Sequence, residues 1–598
     1  MNVMEHPLLR KYTGIVRRDL SAAYSRDLHK WLVVAPIVGA LSGLIVTLIA
    51  QIILKWMWPP LLGWYVRHPL VMIPGLAFGF LIAGLLMQYL TPDPNEHSTE
   101  EIIHSYHERQ GVVRMRPFAA KLAAAIATVG FGGSAALEGP GIYAGGAIGS
   151  WLWTKLRRFG LGPQDRRILL ISGAAAGMGA VFRAPLTGIA FAMEMPYKDD
   201  LAHEAILPSL IASVVAYATL VFFLGTTPLF NFTGETTFSG RELLWAAVLG
   251  LVCGGIAMLF SVVFRRVRRF VMSLRVPHWL KMAAGGLLTG VCGWAFLAMF
   301  GGRLVPIGPN YEAAGQILQR AHGTFELIVF GTMKLAATLF SLGVGGVSAM
   351  FVPLFLTGGS FGTAFAQFTG QPHALDLYAA AGMAAFLAAG YKTPLTAVIF
   401  VAEAAGGHSY IIPALIAAAV AYAVSGETSV LENQRLRETP EHSDLWRMPL
   451  AGVMRRQVTT VDAASTVSMF LDSLGEYPPH TAYPVLENSR AIGVVERGVA
   501  SGISAEKRAE TKVGEIAERN VPRVRPECEL HEALRLLRGP REQHMLLIVS
   551  GDGDLEGIVT QTDLLDAFAL GDSSADSRHV SRFAPDAKPS GPATPGEA

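Results

Sequence analysis

Residues 134–149, SAALEGPGIYAGGAIG, and residues 348–362, SAMFVPLFLTGGSFG, decide how this chain folds. In the first, Pro140 is followed by Gly145, Gly146 and Gly149; in the second, Pro353 is followed by Gly358, Gly359 and Gly362 at the same offsets. Each is introduced by Ser-Ala, at Ser134-Ala135 and Ser348-Ala349, although the distance to the proline differs by one. A second block repeats downstream: RAPLTGIAFAME at 183–194 matches KTPLTAVIFVAE at 392–403, with charge, Pro-Leu-Thr, Phe and Glu in register. Duplication is the simplest reading of both blocks together. Similarity between the halves leaves open whether they run parallel or inverted.

The prolines and glycines have a physical meaning here. Proline suits the first turn of a helix, where its missing N–H would have had no partner. The spacing therefore predicts helices that begin at Glu138 and Phe351. A helix start placed at mid-membrane turns free N–H groups and a positive dipole end toward an anion. Glycines let neighbouring backbones approach, and broken helices in matching places of two repeats mark a transport site. Gly-x-x-Gly spacing by itself would be ordinary packing material.

Composition agrees. The chain is 51% hydrophobic and 16% charged, against about 25% charged in soluble domains. Apolar runs fill 31–57, 69–90, 118–154, 167–195, 205–225, 241–263, 283–300, 325–369, 376–402 and 409–425. Several exceed the ~20 residues that cross a bilayer. The expected fold class is an all-α polytopic membrane domain, a duplicated repeat with broken helices, followed by a C-terminal α/β domain. Four parts follow: a segment 1–30, a transmembrane domain 31–435, a regulatory pair 447–570 and a polar, disordered tail 571–598. Arg10, Lys11, Arg17, Arg18, Arg26 and Lys30 precede the first apolar run with no cleavage site, so the N-terminus is expected in the cytoplasm. The basic stretch from 265–269 (RRVRR) on to Arg275 and Lys281 reads as a second cytoplasmic loop and 225–241 as an external one. A cytoplasmic C-terminal domain then implies an even number of crossings of the cell (inner) membrane. A net charge of +2 does not suggest nucleic acid, and Cys253, Cys292 and Cys528 show neither metal spacing nor a disulfide framework.

These motifs resemble the CLC chloride channels and chloride/proton exchangers. Ala136-Leu137-Glu138-Gly139-Pro140 is similar to that family's Gly-Lys/Arg-Glu-Gly-Pro motif, and Ala349-Met350-Phe351-Val352-Pro353 to its Gly-x-Phe-x-Pro motif without the leading glycine. Lys121 precedes Glu138 by the family's lysine spacing. The resemblance spans about residues 30 to 435. It implies inverted repeats and a homodimer in the lipid bilayer with one chloride or small-anion pore per subunit. It makes Glu138 the gate, a carboxylate that competes with the anion, with backbone N–H groups near Gly139 and of Met350 and Phe351 as anion contacts. Three positions depart from the pattern. His97, followed by Ser98, stands where the family has an anion-binding serine. Leu431 stands where it has a pore tyrosine, and Met195, after Glu194, where its exchangers carry a proton-transfer glutamate. Methionine cannot relay a proton, which favours a channel or weakly coupled transporter over a chloride/proton antiporter.

Residues 447–570 resemble a CBS pair, a regulatory module. The second unit closes with Gly557-Ile-Val-Thr560-Gln-Thr-Asp563, similar to that module's ribose-binding turn, which makes Thr560 and Asp563 candidate contacts for an adenine nucleotide. The first unit has Gly493-Val-Val-Glu496 there and lacks the Asp. No cofactor is required for transport and no metal site is expected. Two other classes join membrane helices to CBS pairs. An intramembrane metalloprotease needs two histidines one turn apart around a glutamate; His203-Glu204 and His107-Glu108 lack the second, so no enzyme is expected. A CBS-regulated divalent-cation channel needs acidic pore residues, which are few in the apolar segments.

Overall fold

The computed structural model describes residues 26–226, 238–301, 304–317, 322–371, 373–405, 410–437, 449–475, 480–537 and 545–564. The segments 1–25 and 571–598, and most of the expected external loop, lie outside the described residues. The chain divides into two compact units, Met1–Glu438 and Thr439–Ala598.

The first unit is helical. Its elements are α1 (Arg26–Ala50), running through a π-helical turn into α2 (Trp58–Arg67), α3 (Met72–Leu90), α4 (Ser98–Glu108), α5 (Phe118–Gly130), α6 (Glu138–Leu156), α7 (Asp165–Phe182), α8 (Pro185–Glu194) and α9 (Ile206–Leu224). The second half continues with α10 (Gly240–Ser273), α11 (His278–Phe300), α12 (Ala313–Ile317), α13 (Thr324–Leu342), α14 (Phe351–Phe368), α15 (Leu375–Tyr391), α16 (Pro394–Ala405) and α17 (Ile411–Val424). Among the described residues six helical stretches are long and apolar enough to cross a bilayer: His29–Arg67, Pro69–Leu90, His203–Leu224, Gly240–Ser273, His278–Phe300 and Thr324–Leu342. The others are shorter because the long apolar runs break. The breaks fall between α5 and α6, α7 and α8, α13 and α14, and α15 and α16. Arg183 and Lys392 end α7 and α15 in the left-handed conformation, at φ 55° and 61°. That turn lets Pro185 and Pro394 open the next helices.

One expectation holds only in part. α10 runs through 265–269 to Ser273, and the break in the basic stretch falls at 274–277, before α11 begins at His278. No Gly or Pro interrupts 256–276, and arginine is a good helix former. At 34 residues the helix is about 51 Å long, longer than the ~30 Å hydrocarbon layer, so its basic end emerges as helix.

The repeats pack alike. α6 lies on α7 and α14 on α15 at backbone contact, and α3 packs on α11. A Cβ on Gly145 would strike the Gly173 carbonyl, and one on Gly358 the Gly382 carbonyl, so these glycines set the interhelical distance. Glu194, at the C-terminus of α8, accepts the N–H groups of Leu395 (2.9 Å) and Thr396 (2.7 Å) and the Thr396 hydroxyl (2.5 Å) at the N-terminus of α16. Glu403 on α16 accepts Leu186 N–H (3.1 Å), Thr187 N–H (2.9 Å) and the Thr187 hydroxyl (2.8 Å) at the start of α8. Each helix ends where its counterpart begins. Matching helices α8 and α16 are therefore antiparallel, and the repeat is inverted.

The second unit holds two three-stranded sheets. The first comprises β1 (Val461–Asp462), β2 (Ala482–Glu487) and β3 (Arg490–Glu496); the second comprises β4 (Arg523–Val524), β5 (Met545–Val549) and β6 (Leu555–Thr560). In each the first strand is parallel to the second and the third antiparallel to it, with a register shift within the antiparallel pair, at Val485/Leu486 and at Ile548/Val549. Val494 exchanges backbone hydrogen bonds with Glu518, and Ile558 does so with Arg455, so the segment ahead of each unit pairs with the last strand of the other.

Candidate functional site

The linkers that precede α6 and α14 meet at the centre of the first unit. Ala136 and Ala349 form an antiparallel bridge, Ala136 N–H donating to the Ala349 carbonyl (3.2 Å). The Ser348 hydroxyl donates to the Ala136 carbonyl. Irregular backbone at membrane depth must be satisfied internally, and hydroxyls of α5 and α13 supply this. Ser134 N–H donates to Ser341 Oγ (3.0 Å), Ser134 Oγ bonds Thr338 Oγ1 (2.9 Å), and Val347 N–H donates to Thr128 Oγ1 (3.3 Å). Gly139 is required at this crossing. A Cβ there would lie 2.6 Å from both Ala349 N and Ser348 C.

The bridge sets two helix N-termini against each other. Glu138 is fully buried, and its Oε1 accepts the Phe351 N–H at 2.6 Å. Its Oε2 is buried with no hydrogen-bond partner among the described residues. A carboxylate thus sits on the positive end of α14, where a small anion would bind by the same contacts. The residue before each helix is tied to a tyrosine: Leu137 N–H donates to the Tyr311 hydroxyl (3.0 Å) and Met350 N–H to the Tyr391 hydroxyl (2.9 Å). Of the expected backbone donors, Phe351 therefore faces the carboxylate, whereas Met350 is committed to Tyr391.

On one side of Tyr391 lies a cavity of ≈ 30 Å³, lined among others by His97, Ser98, Arg268, Met350, Tyr391 and Leu431. The structure thus gathers His97, Ser98, Met350 and Leu431 at one place, with Tyr391 as a hydroxyl that the sequence reading missed. Its signal was an aromatic residue ahead of the 392–403 block, where Phe182 precedes the 183–194 block. Because Tyr391 accepts from Met350, its own phenolic proton remains available to donate. Leu431 lacks that chemistry and is 6% exposed. Ser98 opens α4 at φ 57°, a left-handed value that favours glycine.

Lys121 does not reach the gate. Its Nζ pairs with Glu101 at 2.5 Å, both buried, and lies 5.4 Å from the Tyr143 ring centroid. It fastens α4, and so the His97 end of the cavity, to α5. Lys334 precedes Phe351 by the same interval as Lys121 precedes Glu138, a repeat signal the reading passed over; it is buried and donates to the Gly308 carbonyl (2.9 Å). Met195 is fully buried, and its carbonyl accepts Gln434 Nε2 (3.1 Å), which also reaches the carbonyls of Tyr197 (3.2 Å) and Tyr391 (3.0 Å). An amide network rather than an acid occupies this position.

Residues 79–426 match the family model for the voltage gated chloride channel. The chain belongs to that family. It is a multi-pass membrane protein of a family that transports anions. It is 27% identical over 425 residues to a chloride/fluoride channel protein of Pseudomonas syringae, covering 70% of this chain and 88% of the relative. It is also 27% identical over 412 residues to an H(+)/Cl(-) exchange transporter of Klebsiella pneumoniae, covering 64% and 83%. Among solved structures, a CLC-type fluoride/proton antiporter aligns with TM-score 0.60 at 22% identity, over 69% of this chain and 99% of that one. A eukaryotic CLC transporter aligns with TM-score 0.56 at 16% identity, over 90% and 98%. These two likenesses concern the fold. Residues 513–570 match the CBS domain.

In the CBS region Thr560 and Asp563 adjoin. Asp563 Oδ2 accepts Thr560 N–H (2.9 Å) and the Thr560 hydroxyl (2.6 Å), while Oδ1 accepts Arg455 Nε (2.5 Å). The carboxylate read as a ribose contact is engaged by its own chain.

Proposed function

We propose that this CLC protein passes chloride or a similar small monovalent anion through a pore gated by Glu138, as a channel or a weakly proton-coupled transporter. The observation that carries the reading is the Glu138 carboxylate on the Phe351 N–H. It occupies the dipole end and donor that an anion needs, so gate and anion compete for one place. Protonation removes the charge that makes the carboxylate competitive and frees the N–H. The Tyr391 phenol, beside Met350 N–H, supplies the hydroxyl that Leu431 cannot. The buried apolar Met195 and the amide network around Gln434 support weak coupling. Relatives named exchangers keep the antiporter as the second reading. A divalent-cation pore suits the site poorly, since the helix N-termini and N–H donors repel cations.

The subunit pairs with a second copy, as the family resemblance implies. Support comes from exposed apolar side chains at matching places of the repeat, Leu186 and Leu210 on α8–α9 with Leu395 and Leu415 on α16–α17. Both termini face the cytoplasm in this reading. An adenine nucleotide at Thr560 and Asp563 would displace Arg455.

The test is chloride efflux from proteoliposomes with simultaneous proton recording, for wild type and Glu138→Gln. Wild type releases chloride with a pH-dependent rate, and Glu138→Gln loses that dependence. If neither flux nor pH dependence changes, Glu138 is not the gate. Uphill proton movement driven by the chloride gradient would replace the channel reading with the antiporter.

A further inference from the structure

A loop ahead of α12 reaches the gate from outside the four helices that frame it. Residues 304–311 form neither helix nor strand, yet every one of them is buried, whereas irregular segments normally lie at the surface. The loop is fastened at several points. Gly308 N–H donates to the Gly132 carbonyl (2.8 Å), Lys334 Nζ donates to the Gly308 carbonyl (2.9 Å), and Asn310 Nδ2 donates to the Val305 carbonyl. Gly308 lies at φ 75° against the Trp58 ring, where a Cβ would strike. These contacts hold one side chain in place. Tyr311 is buried, packs on Phe182 with ring centroids 6.3 Å apart, and takes Leu137 N–H at 3.0 Å.

Leu137 and Met350 are equivalent residues of the repeat, and each gives its N–H to a phenol. The linkers run antiparallel at Ala136 and Ala349, so Tyr311 and Tyr391 hold them from opposite ends. Both phenols lie within electrostatic reach of the Glu138 carboxylate. Among the described residues no cation pairs with that carboxylate: Lys121 on α5 turns to Glu101, and Lys334 on α13 to the Gly308 carbonyl. The two tyrosines are therefore the titratable groups that face it. An anion that takes the Phe351 N–H leaves the carboxylate in need of another donor, because a buried charge without one is costly. Its Oε2 is already buried without a partner. A phenol that accepts an amide N–H still has one proton to give, and Tyr311 stands on the residue next to Glu138 itself. Resting on Glu138 as the gate, we propose that Tyr311 is its positioning residue. The phenol receives the displaced, still ionised carboxylate through an O–H···O hydrogen bond and gives the gate a second resting place, while its oxygen keeps the α6 start in register. The gate then opens by two routes, protonation at acidic pH and transfer to Tyr311 at alkaline pH.

The experiment is chloride efflux from proteoliposomes of the full-length protein across a range of pH, for wild type, Tyr311→Phe, Glu138→Gln and the double variant. Tyr311→Phe keeps the ring on Phe182 and loses only the hydroxyl. It lowers efflux about tenfold at alkaline pH, the loss of one hydrogen bond to a charged group, and leaves efflux at acidic pH near that of wild type, so the pH dependence steepens. Beside Glu138→Gln the same substitution changes efflux by less than about twofold at any pH, because the two side chains act on one step. A merely structural defect would lower efflux alike at every pH and would persist beside Glu138→Gln. A pH profile that does not steepen, or a loss that survives in the double variant, overturns the proposal. Where Tyr311→Phe does not fold, a cryo-EM map of wild type in saturating chloride at alkaline pH decides it. The Glu138 carboxylate against the Tyr311 phenol supports the proposal, and a carboxylate on Phe351 or turned elsewhere overturns it. A Glu138→Gln variant that by itself alters neither flux nor pH dependence would instead sink the gate reading on which the proposal rests.

Discussion

Glu194 and Glu403 are equivalent residues of the two repeats with unequal surroundings, and that inequality can be measured. Each carboxylate caps the first turn of the other's helix through two N–H groups and a threonine hydroxyl. Glu194 is 4% exposed, whereas Glu403 is only partly buried. A hydrogen bond to a charged group contributes about 1.5–3 kcal/mol, and leaving a buried donor unpaired costs a further ~1–3 kcal/mol. The donors are alike, Thr396 and Thr187 both buried and Leu395 and Leu186 both exposed, so any difference comes from the carboxylates themselves. Glu194→Ala empties a buried place beside the Thr396 N–H and should cost about 3 kcal/mol, whereas Glu403→Ala empties a partly exposed one that water or a headgroup can enter, and should cost about 1–2 kcal/mol, the range of an ordinary N-cap. Because both caps hold the α8–α16 pair, the double variant should lose less than the two costs added. Reversible unfolding by SDS titration of detergent-solubilised protein reads all three values. If Glu403→Ala costs as much as Glu194→Ala, or both fall below ~0.5 kcal/mol, burial is not what sets the strength of these caps.

Gly139→Ala puts a methyl 2.6 Å from the Ala349 nitrogen; the linkers must part, and chloride flux should lose its pH dependence even with Glu138 intact. Ser98→Gly removes the left-handed strain at φ 57° and should stabilise the protein by up to about 1 kcal/mol in the same SDS titration, while Ser98→Val destabilises it. Burial, with the nearby Glu532 and Glu529 charges, pushes the Cys528 thiol up to about 11. Its thiolate is therefore scarce at pH 8 and grows only as pH climbs toward that value. Maleimide labelling followed by peptide mapping should find Cys528 roughly tenfold slower than a free thiol, after allowance for the greater nucleophilicity of a high-pKa thiolate.

The helix starts at Glu138 and Phe351 were legible because proline and glycine act on their own backbone, within a turn. The second half of the site was not, because its contacts span the chain. Tyr391 lies 41 residues from Met350, Tyr311 lies 174 from Leu137, and Gln434 lies 239 from Met195. Nothing local in a tyrosine at a helix C-terminus says that its hydroxyl will accept an amide from another helix. Charge misled once: the stretch 265–269 reads as a loop if basic residues are taken to mean water. Yet four such residues continue a helix without difficulty once it has left the bilayer, and Arg268 there lines a cavity. The Lys121–Lys334 match was in plain view at the offset of the prolines. The match does not extend to their partners: one lysine pairs with an acid, Glu101, and the other with the Gly308 carbonyl.

An inverted repeat would by itself place two identical helix starts nose to nose, and the function proposed here depends on their not being identical. If position 351 were also glutamate, two buried carboxylates would face each other across the Ala136–Ala349 bridge, each raising the cost of the other's charge. With phenylalanine there, the α14 start offers its N–H and dipole with no acid of its own. Glu138 from the opposite repeat can take that place, and so can an anion. Tyr391 and its repeat partner Phe182 differ in the same sense: the hydroxyl is kept on the α14 side, where it meets Met350. Duplication supplies the two helix starts, and divergence at these two positions is what would let one of them serve as the proposed gate and the other as the proposed seat of the anion.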